Sequence, residues 1–239
     1  MKIYNPFRFL TRLEWAIWLG SVAVVVASFL IGGGGRVLSL IASLIGVTAL
    51  IFIARGDVTG QILCIVFSIL YAIVSFEQRY YGEMITYACM SLPASAASVV
   101  SWLKHPYATE DHSEVRMVRM PKTAYLWAFL WTALVSGVFY WILRWLGNAA
   151  LFTSTVSVAT SFMAAYLLFR RSPYYALAYA ANDVVLIVLW CIAAVKDLSA
   201  LSMVACFAAF LLNDIYGFLN WLRVRSRQDR AEARENVEG

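Results

Sequence analysis

The amino-acid sequence predicts an all-α integral membrane protein with eight transmembrane helices. Of its 239 residues, 62% are hydrophobic and only 14% are charged, and the mean hydropathy is +0.72. The apolar residues form eight stretches, each close to the ~20 residues that cross a bilayer. These observations exclude a soluble globular protein, and the remaining loops and tails leave no room for an extramembrane catalytic domain. The predicted spans are 14–31, 37–54, 60–76, 84–103, 124–146, 149–169, 175–195 and 199–222.

The basic residues predict which ends of the spans face the cytoplasm. When Lys and Arg are assigned to alternate sides, 15 of the 19 fall on the side of both termini and of the 104–122 loop. Only Arg36, Arg79, Arg144 and Lys196 fall on the other side. Since cytoplasmic loops are enriched in Lys and Arg, both termini and that loop are predicted to be cytoplasmic. The net charge of +5 therefore reflects topology and does not indicate nucleic-acid binding.

A weak internal repeat divides the chain into two halves. At a shift of 119 positions, Met84 aligns with Met203 and Trp102 with Trp221. Both halves begin on the outer side, which predicts parallel repeats with the substrate near the midplane between them. The predicted divisions are a peripheral N-terminal helix (14–31), a first three-helix repeat (37–103), a cytoplasmic loop (104–122), a connector helix (124–146), a second three-helix repeat (149–222) and a cytoplasmic tail (223–239).

Two Asn-Asp pairs lie inside predicted spans, Asn182 with Asp183 and Asn213 with Asp214. A carboxylate at the centre of a helix costs roughly 2.5–3.5 kcal/mol on insertion scales, so such residues indicate function by default. The alternative is that the pairs only tie helices together, through interhelical hydrogen bonds worth about 0.6 kcal/mol each.

Aromatic and amide side chains share helix faces with these pairs. Asp183 and Trp190 fall on one face of span seven, while Asn213, Tyr216 and Asn220 fall on one face of span eight. Span three adds further polar and aromatic groups at nearly heptad spacing, among them Tyr71 and Gln78. Such a lining suits a small polar ligand with hydroxyls and an aromatic or cationic ring.

Other chemical signals are weak. The four cysteines lie in apolar spans without CxxC spacing, which is typical of small buried side chains. His105 and His112 lie in the 104–122 loop, away from the intramembrane carboxylates. Gly32–Gly35 follows no strand, so a phosphate-binding loop is not expected there. The sequence therefore predicts no metal site, no cofactor and no catalytic site, and the protein is not expected to be an enzyme.

Three segments resemble a known family. They are LLNDIYGFLNWLR at Leu211–Arg223, NDVVLIVLW at Asn182–Trp190 and YGEM at Tyr81–Met84. The chain resembles the PnuC family of bacterial nicotinamide riboside transporters over about 37–223. The resemblance implies two three-helix bundles joined by one helix, similar to a full-length version of the SWEET sugar transporters. It also implies a homotrimer in the bacterial inner membrane.

The resemblance further implies uptake of nicotinamide riboside, a form of vitamin B3, by facilitated diffusion, with phosphorylation by a cytoplasmic riboside kinase trapping the substrate. A cavity without interior Lys or Arg favours this nucleoside over nicotinamide mononucleotide, which carries a phosphate. The residues that the resemblance places near the ligand are Asn182, Asp183, Trp190, Asn213, Asp214, Tyr216 and Asn220, together with Tyr71, Gln78 and Tyr87.

Several alternatives stay open at this stage. Related branches carry thiamine or other vitamins or nucleosides, and a proton-coupled symporter would use Asp183 or Asp214 to take up the proton. A membrane enzyme would need a nucleophile, a metal or a paired acid and base near water, which the loops do not offer. A structural membrane subunit would not need two buried Asn-Asp pairs.

Overall fold

The protein folds almost entirely into helices. The computed structural model describes residues 6–34, 36–108, 113–148 and 150–238, so Gly35 and His112 lie outside the described residues. Eight helical segments within those ranges are long and apolar enough to span a membrane, which confirms the predicted fold class. The helices are α1 (Arg12–Ile31), α2 (Val37–Ala54), α3 (Val58–Glu77), α4 (Tyr81–Thr86), α5 (Leu92–Lys104), α6 (Lys122–Trp145), α7 (Leu151–Phe169), α8 (Tyr175–Ala194) and α9 (Leu201–Glu238).

The fourth span differs from the single regular helix that the sequence predicts for 84–103. It runs from Tyr81 to Lys104 as α4 and α5 joined by a π-helical turn, Tyr87–Ser91. The N–H of Leu92 bonds to the carbonyl of Tyr87, five residues back. Proline at position 93 explains the widening, because it has no N–H to donate and its ring crowds the carbonyl four residues earlier.

The helices pack in two groups of three. In one group α3 packs between α2 and the α4/α5 span, and in the other α8 packs between α7 and α9. The groups meet at two places, where α2 packs on α9 and where α4 and α5 pack on α7. The first helix of each group therefore contacts the third helix of the other. Helix α6 packs on α7, and α1 packs on α2 and α9.

The ends of the spans define two faces of the molecule. We call the end that carries Arg55, Lys104 and Arg223 the basic face, and the end that carries Arg36 and Glu77 the opposite face. On the opposite face, Arg36 and Glu77 form an exposed ion pair that links the start of α2 to the end of α3.

The segment that the sequence predicts as a tail, 223–239, is helical as far as Glu238 and packs against the rest of the protein. Helix α9 continues unbroken to Glu238, and its last part packs on a hairpin of β1 (Pro106–Ala108) and β2 (Ser113–Val115). The buried amide of Gln228 accepts a hydrogen bond from the N–H of Met117 and donates to the carbonyl of Val115. Arg227 pairs with Glu114 at 2.5 Å. These bonds hold the hairpin, which lies within the predicted 104–122 loop, against α9.

Helix α1 is fixed to the rest of the protein through Glu14, whose side chain is only 2% exposed. Its carboxylate accepts hydrogen bonds from Arg55 at 2.7 Å and from the hydroxyl of Tyr216 at 2.9 Å. Glu14 also completes a capping box with Thr11 at the start of the helix. The predicted peripheral helix is therefore tied to both α2 and α9 by one buried charge.

Candidate functional site

A narrow cavity lies where the two helix groups meet, surrounded by α2, α3, the fourth span, α7, α8 and α9. Its volume is about 50 Å³. That is room for a few water molecules, so a larger ligand requires the helices to separate. The lining residues are Gly46, Leu50, Ile53, Cys64, Phe67, Ser68, Tyr87, Ser91, Ser95, Leu168, Tyr175, Tyr179, Asp183, Phe210 and Asp214.

Two carboxyl groups dominate the electrostatics of this cavity. Asp183 on α8 and Asp214 on α9 lie against each other in its wall, and both are almost fully buried. Among the described residues that line the cavity, none is Lys or Arg. Three tyrosines, Tyr87, Tyr175 and Tyr179, and three serines, Ser68, Ser91 and Ser95, add hydroxyl groups to the lining. This arrangement attracts a cation and offers π-faces to a planar ring.

Aromatic side chains close the cavity towards the opposite face. We call this group the upper layer; it comprises Phe67, Tyr71, Tyr87, Trp190, Phe207 and Phe210. The centroids of the Tyr71 and Tyr87 rings are 4.2 Å apart, and the indole of Trp190 donates a hydrogen bond to the Tyr71 hydroxyl at 2.7 Å. The upper layer therefore bridges α3, the π turn, α8 and α9.

A second aromatic group, the lower layer, closes the cavity towards the basic face. It consists of Trp102, Tyr175 and Trp221, and the Tyr175 and Trp221 rings lie 4.6 Å apart. Trp221 donates its indole N–H to the carbonyl of Ile53, and Asn220 donates to that of Ala54. Both carbonyls lie at the end of α2, where that of Ile53 also accepts a backbone hydrogen bond from Gly56 at 2.8 Å. Helix α9 thus adds side-chain caps to the last turn of α2.

Glycine at position 46 lets the upper layer approach the cavity. A Cβ at this position would lie 2.4 Å from Cζ of Phe210 and 3.1 Å from Cδ2 of Phe67. A Cβ contact of 2.4 Å is essentially never found and one of 3.1 Å is unusually tight, so the absence of a side chain at Gly46 allows the two rings to pack against α2. The ring positions in turn set the width of the cavity.

Two turns that are 119 positions apart meet at the opposite face. Gln78 ends α3, and Asp197 follows α8 with its carboxylate accepting a hydrogen bond from the N–H of Ser199 at 2.9 Å. The hydroxyl and then the backbone N–H of Ser199 hold the pKa of Asp197 below its ordinary value, and Gln78 adds to this effect. The turn therefore favours a charged Asp197 near Gln78.

The structure brings only some of the predicted site residues to the cavity. Asp183, Asp214 and Tyr87 line it, and Tyr71 and Trp190 lie behind Tyr87 in the upper layer. The remaining five hold helices or turns together. Asn182 accepts hydrogen bonds from Ser157 and Thr160 on α7, and Asn213 donates one to Ser21 on α1. Tyr216 donates to Glu14, Asn220 donates to the carbonyl of Ala54, and Gln78 lies in the turn described above.

Sequence reasoning missed several lining residues that the repeat would have revealed. At the shift of 119, Cys64 corresponds to Asp183 and Ser95 to Asp214, and all four line the cavity. Tyr175 and Tyr179 gave no such signal, because the equivalent positions hold glycines. The cavity is thus built from corresponding positions of the two halves, but both of its carboxyl groups come from the second.

Comparison with known proteins identifies the family. The sequence model described as "Nicotinamide mononucleotide transporter" matches residues 36–223. The chain belongs to this transporter family. It is therefore a multi-pass membrane transporter and not an enzyme. Helix α1 and the end of α9 lie outside the matched region, so the buried Glu14 contact joins a part of the chain that the family model does not include.

Individual relatives within the family cover most of the chain. The nicotinamide riboside transporter PnuC of Neisseria mucosa is 24% identical over 215 residues, which cover 89% of this chain and 82% of that protein. PnuC of Haemophilus influenzae is 19% identical, over 80% of this chain and 81% of that protein. A crystal structure of the vitamin B3 transporter PnuC has the same fold, with a TM-score of 0.82, 23% identity and coverage of 91% of this chain and 94% of that one.

Proposed function

We propose that this transporter takes up nicotinamide riboside by facilitated diffusion, and that phosphorylation by a cytoplasmic riboside kinase traps the substrate. The observation that carries the proposal is the pairing of Asp183 and Asp214 with three tyrosine rings in one membrane cavity. Relatives of this chain are named as nicotinamide riboside transporters. We further propose that the protein lies in the bacterial inner membrane as a homotrimer, with the basic face in the cytoplasm.

The chemistry of nicotinamide riboside suits this lining. Its pyridinium ring is planar and carries a positive charge, which the two carboxyl groups would neutralise while Tyr87, Tyr175 or Tyr179 stacks on the ring. Its carboxamide and ribose hydroxyls would pair with Ser91 and Ser95. Nicotinamide mononucleotide adds a phosphate, for which the described lining offers two negative groups and no basic side chain. The riboside is therefore favoured, although the family description names the mononucleotide.

The helix contacts suggest how the substrate would pass. We propose that the two helix groups are the parallel repeats and that they rock about the cavity. Separation at the upper layer would open it to the outside, and separation at the lower layer would open it to the cytoplasm. On this view Asp183, Asp214 and Tyr87 contact the substrate, and Tyr71 and Trp190 belong to the outer barrier. Asn182, Asn213, Tyr216, Asn220 and Gln78 would hold the helices in place around them.

Two related functions compete with this proposal. Thiamine also contains a cationic aromatic ring, so the cavity chemistry alone does not separate it from nicotinamide riboside. A proton-coupled symporter would use the same two carboxyl groups to bind a proton together with the substrate.

Uptake into liposomes that contain the purified protein and no kinase tests the proposal. Labelled nicotinamide riboside should enter until its inner and outer concentrations are equal, and an uncoupler should not change that endpoint. Protein-free liposomes provide the control. Accumulation above the outer concentration that an uncoupler abolishes would establish symport instead. Entry of thiamine in preference to the riboside would assign the other substrate.

A further inference from the structure

A third carboxyl group, that of Glu83, lies buried at the contact between the two helix groups. It is the third residue of α4, near the outer ends of the helices, and its side chain is 0% exposed. The preceding residue brings α4 very close to α7, because a Cβ on Gly82 would lie 2.8 Å from Cβ of Ser154. Glu83 is therefore enclosed for as long as α4 and α7 stay together.

The hydrogen bonds around Glu83 leave its charge uncompensated. Its Oε2 lies 3.2 Å from the hydroxyl of Ser157 on α7, and that hydroxyl lies 3.0 Å from Oδ1 of Asn182 on α8. Among the described residues, Oε1 of Glu83 has no hydrogen-bond partner. Ser157 has one hydrogen, so it cannot donate to both Glu83 and Asn182 at once.

A proton on Glu83 resolves this conflict. If Oε2 carries the proton, it donates to Ser157, and Ser157 donates to Asn182, so each hydrogen in the chain from α4 to α8 has an acceptor and only Oε1, then an uncharged carbonyl oxygen, stays unpaired among the described residues. If Glu83 is ionised, Ser157 must turn to it, and Asn182 Oδ1 keeps only the bond from Thr160. Burying an ionised carboxylate without a cation or strong donors is expensive, whereas the neutral acid avoids that cost.

The other groups around Glu83 do not supply a compensating charge. The titratable side chains near it are three phenols, those of Tyr71 on α3, Tyr80 in the turn before α4 and Tyr87 in the π turn. Helix α7 contributes hydroxyls and contains no acidic or basic residue. Asp183 on α8 lies near Tyr87.

We propose that Glu83 is a proton-binding site that must be occupied before the outer side of the transporter can close. This inference rests on the proposed function, in which α4 and α7 separate when the protein opens outwards. Water then reaches Glu83, and a hydrated glutamic acid is ionised at neutral pH. The carboxylate has to bind a proton from outside before it can be buried again. Opening to the cytoplasm leaves Glu83 enclosed, so the proton later leaves by the side from which it came.

Glu83 would thus act as a proton-dependent latch and not as a carrier of protons. External protons would control the rate of closure, while substrate flow stays passive. This differs from a symporter based on Asp183 and Asp214, in which protons cross the membrane with the substrate.

The dependence of uptake on external pH tests the latch in liposomes. If only the protonated form closes and closure limits the rate, uptake should rise by up to about tenfold for each pH unit between about pH 8 and about pH 6. Glu83→Gln keeps the shape but cannot ionise, so its uptake should not depend on external pH. Glu77→Gln, in the exposed ion pair with Arg36, should keep the profile of the unmodified protein. Changing the internal pH should have no effect on any of the three.

Infrared spectroscopy tests the proton itself without requiring transport. Asp183 and Asp214 lie against each other, so they can contribute a carboxylic-acid C=O stretch of their own. The difference spectrum between the unmodified protein in nanodiscs at neutral pH and Glu83→Gln should therefore show the loss of one carboxylic-acid component, and the difference spectrum with Glu77→Gln should show no such loss. Uptake that is independent of external pH, or the same slope in Glu83→Gln, would overturn the latch while leaving riboside transport intact. A protein that does not carry the riboside would refute the proposed function, and the infrared band would still decide whether Glu83 holds a proton. If Glu83→Gln fails to fold, ¹³C labelling of the glutamate side-chain carboxyl groups decides the question on the unmodified chain, because it shifts the band of a protonated glutamate and leaves those of Asp183 and Asp214 in place.

Discussion

Trp190 donates its indole N–H to the hydroxyl of Tyr71 at 2.7 Å, and the two residues are 119 positions apart. The same separation relates Trp102 to Trp221, whose rings lie 5.7 Å apart in the lower layer. Corresponding positions of the two halves therefore meet both above and below the cavity. A residue that contacts the corresponding residue of the other half lies close to the axis that would relate two repeats. Rocking of the halves would therefore change these contacts first.

The hydrogen bond between Trp190 and Tyr71 can be measured by a double-mutant cycle. Trp190→Phe and Tyr71→Phe each remove one partner from a buried pair, and each should lower the free energy of unfolding by about 1–3 kcal/mol. The double variant should lose clearly less than the sum, because the second change has no bond left to break. Thermal unfolding in detergent gives the values, and strictly additive losses would show that the bond does not contribute.

The charge at Asp214 should matter for a cationic ligand and not for a neutral one. Asp214→Asn keeps the shape of the side chain and removes its charge, so the affinity for nicotinamide riboside should fall at least about tenfold, or about 1.4 kcal/mol. The affinity for a riboside analogue with an uncharged ring should change little. Equal losses for both ligands would show that Asp214 positions the helix and does not neutralise the ring. Asp183→Asn provides the same test from α8.

Adding one methyl group at Gly46 should disturb the cavity. In Gly46→Ala the new Cβ would overlap the ring of Phe210, and the rings of Phe67 and Phe207 leave that ring little room to move. We expect a loss of about 1–3 kcal/mol in stability together with a lower rate of uptake. Gly20→Ala is the matched control, because nothing lies within 4 Å of its Cβ in the described structure. Similar behaviour of the two variants would contradict this account of the cavity.

Glu14 fixes α1 to the rest of the protein, so its substitution should lower the stability even though Glu14 lies outside the region that the family model matches. Glu14→Gln removes the charge that Arg55 and the Tyr216 hydroxyl share, which should cost about 2 kcal/mol. Glu77→Gln breaks an exposed ion pair with Arg36 and should cost less than about 1 kcal/mol. Comparing the two thermal midpoints in detergent tests this difference. Because Glu14 is not among the residues that line the cavity, its substitution should change riboside affinity much less than Asp214→Asn does.

The sequence was sufficient for the eight spans, since long apolar stretches leave the backbone no alternative to a helix in lipid. It was not sufficient for two local features, whose form depends on the accommodation of one side chain or on contacts with a distant segment. The π turn at Tyr87–Ser91 depends on how Pro93 is accommodated, and the extension of α9 depends on the contacts of Gln228 with a hairpin that has no strong sequence pattern. The cytoplasmic placement of the termini stays a prediction.

The site was only partly predictable for a related reason. Periodicity shows that Asn213, Tyr216 and Asn220 share a face of α9, and it does not show what that face meets. The structure directs these three residues to α1 and to the end of α2. Asp214, one position further on, faces the cavity. A polar face inside a membrane therefore indicates a partner, which can equally be a neighbouring helix or a ligand.

Calorimetric titration of the purified protein with nicotinamide riboside tests the central claim most directly. Nicotinamide mononucleotide, nicotinamide and thiamine should be titrated in parallel and as competitors. We expect micromolar or tighter binding of the riboside and much weaker binding of the other three. Preferential binding of thiamine or of the mononucleotide would contradict that claim, because the two carboxyl groups and tyrosine rings would then serve a different ligand.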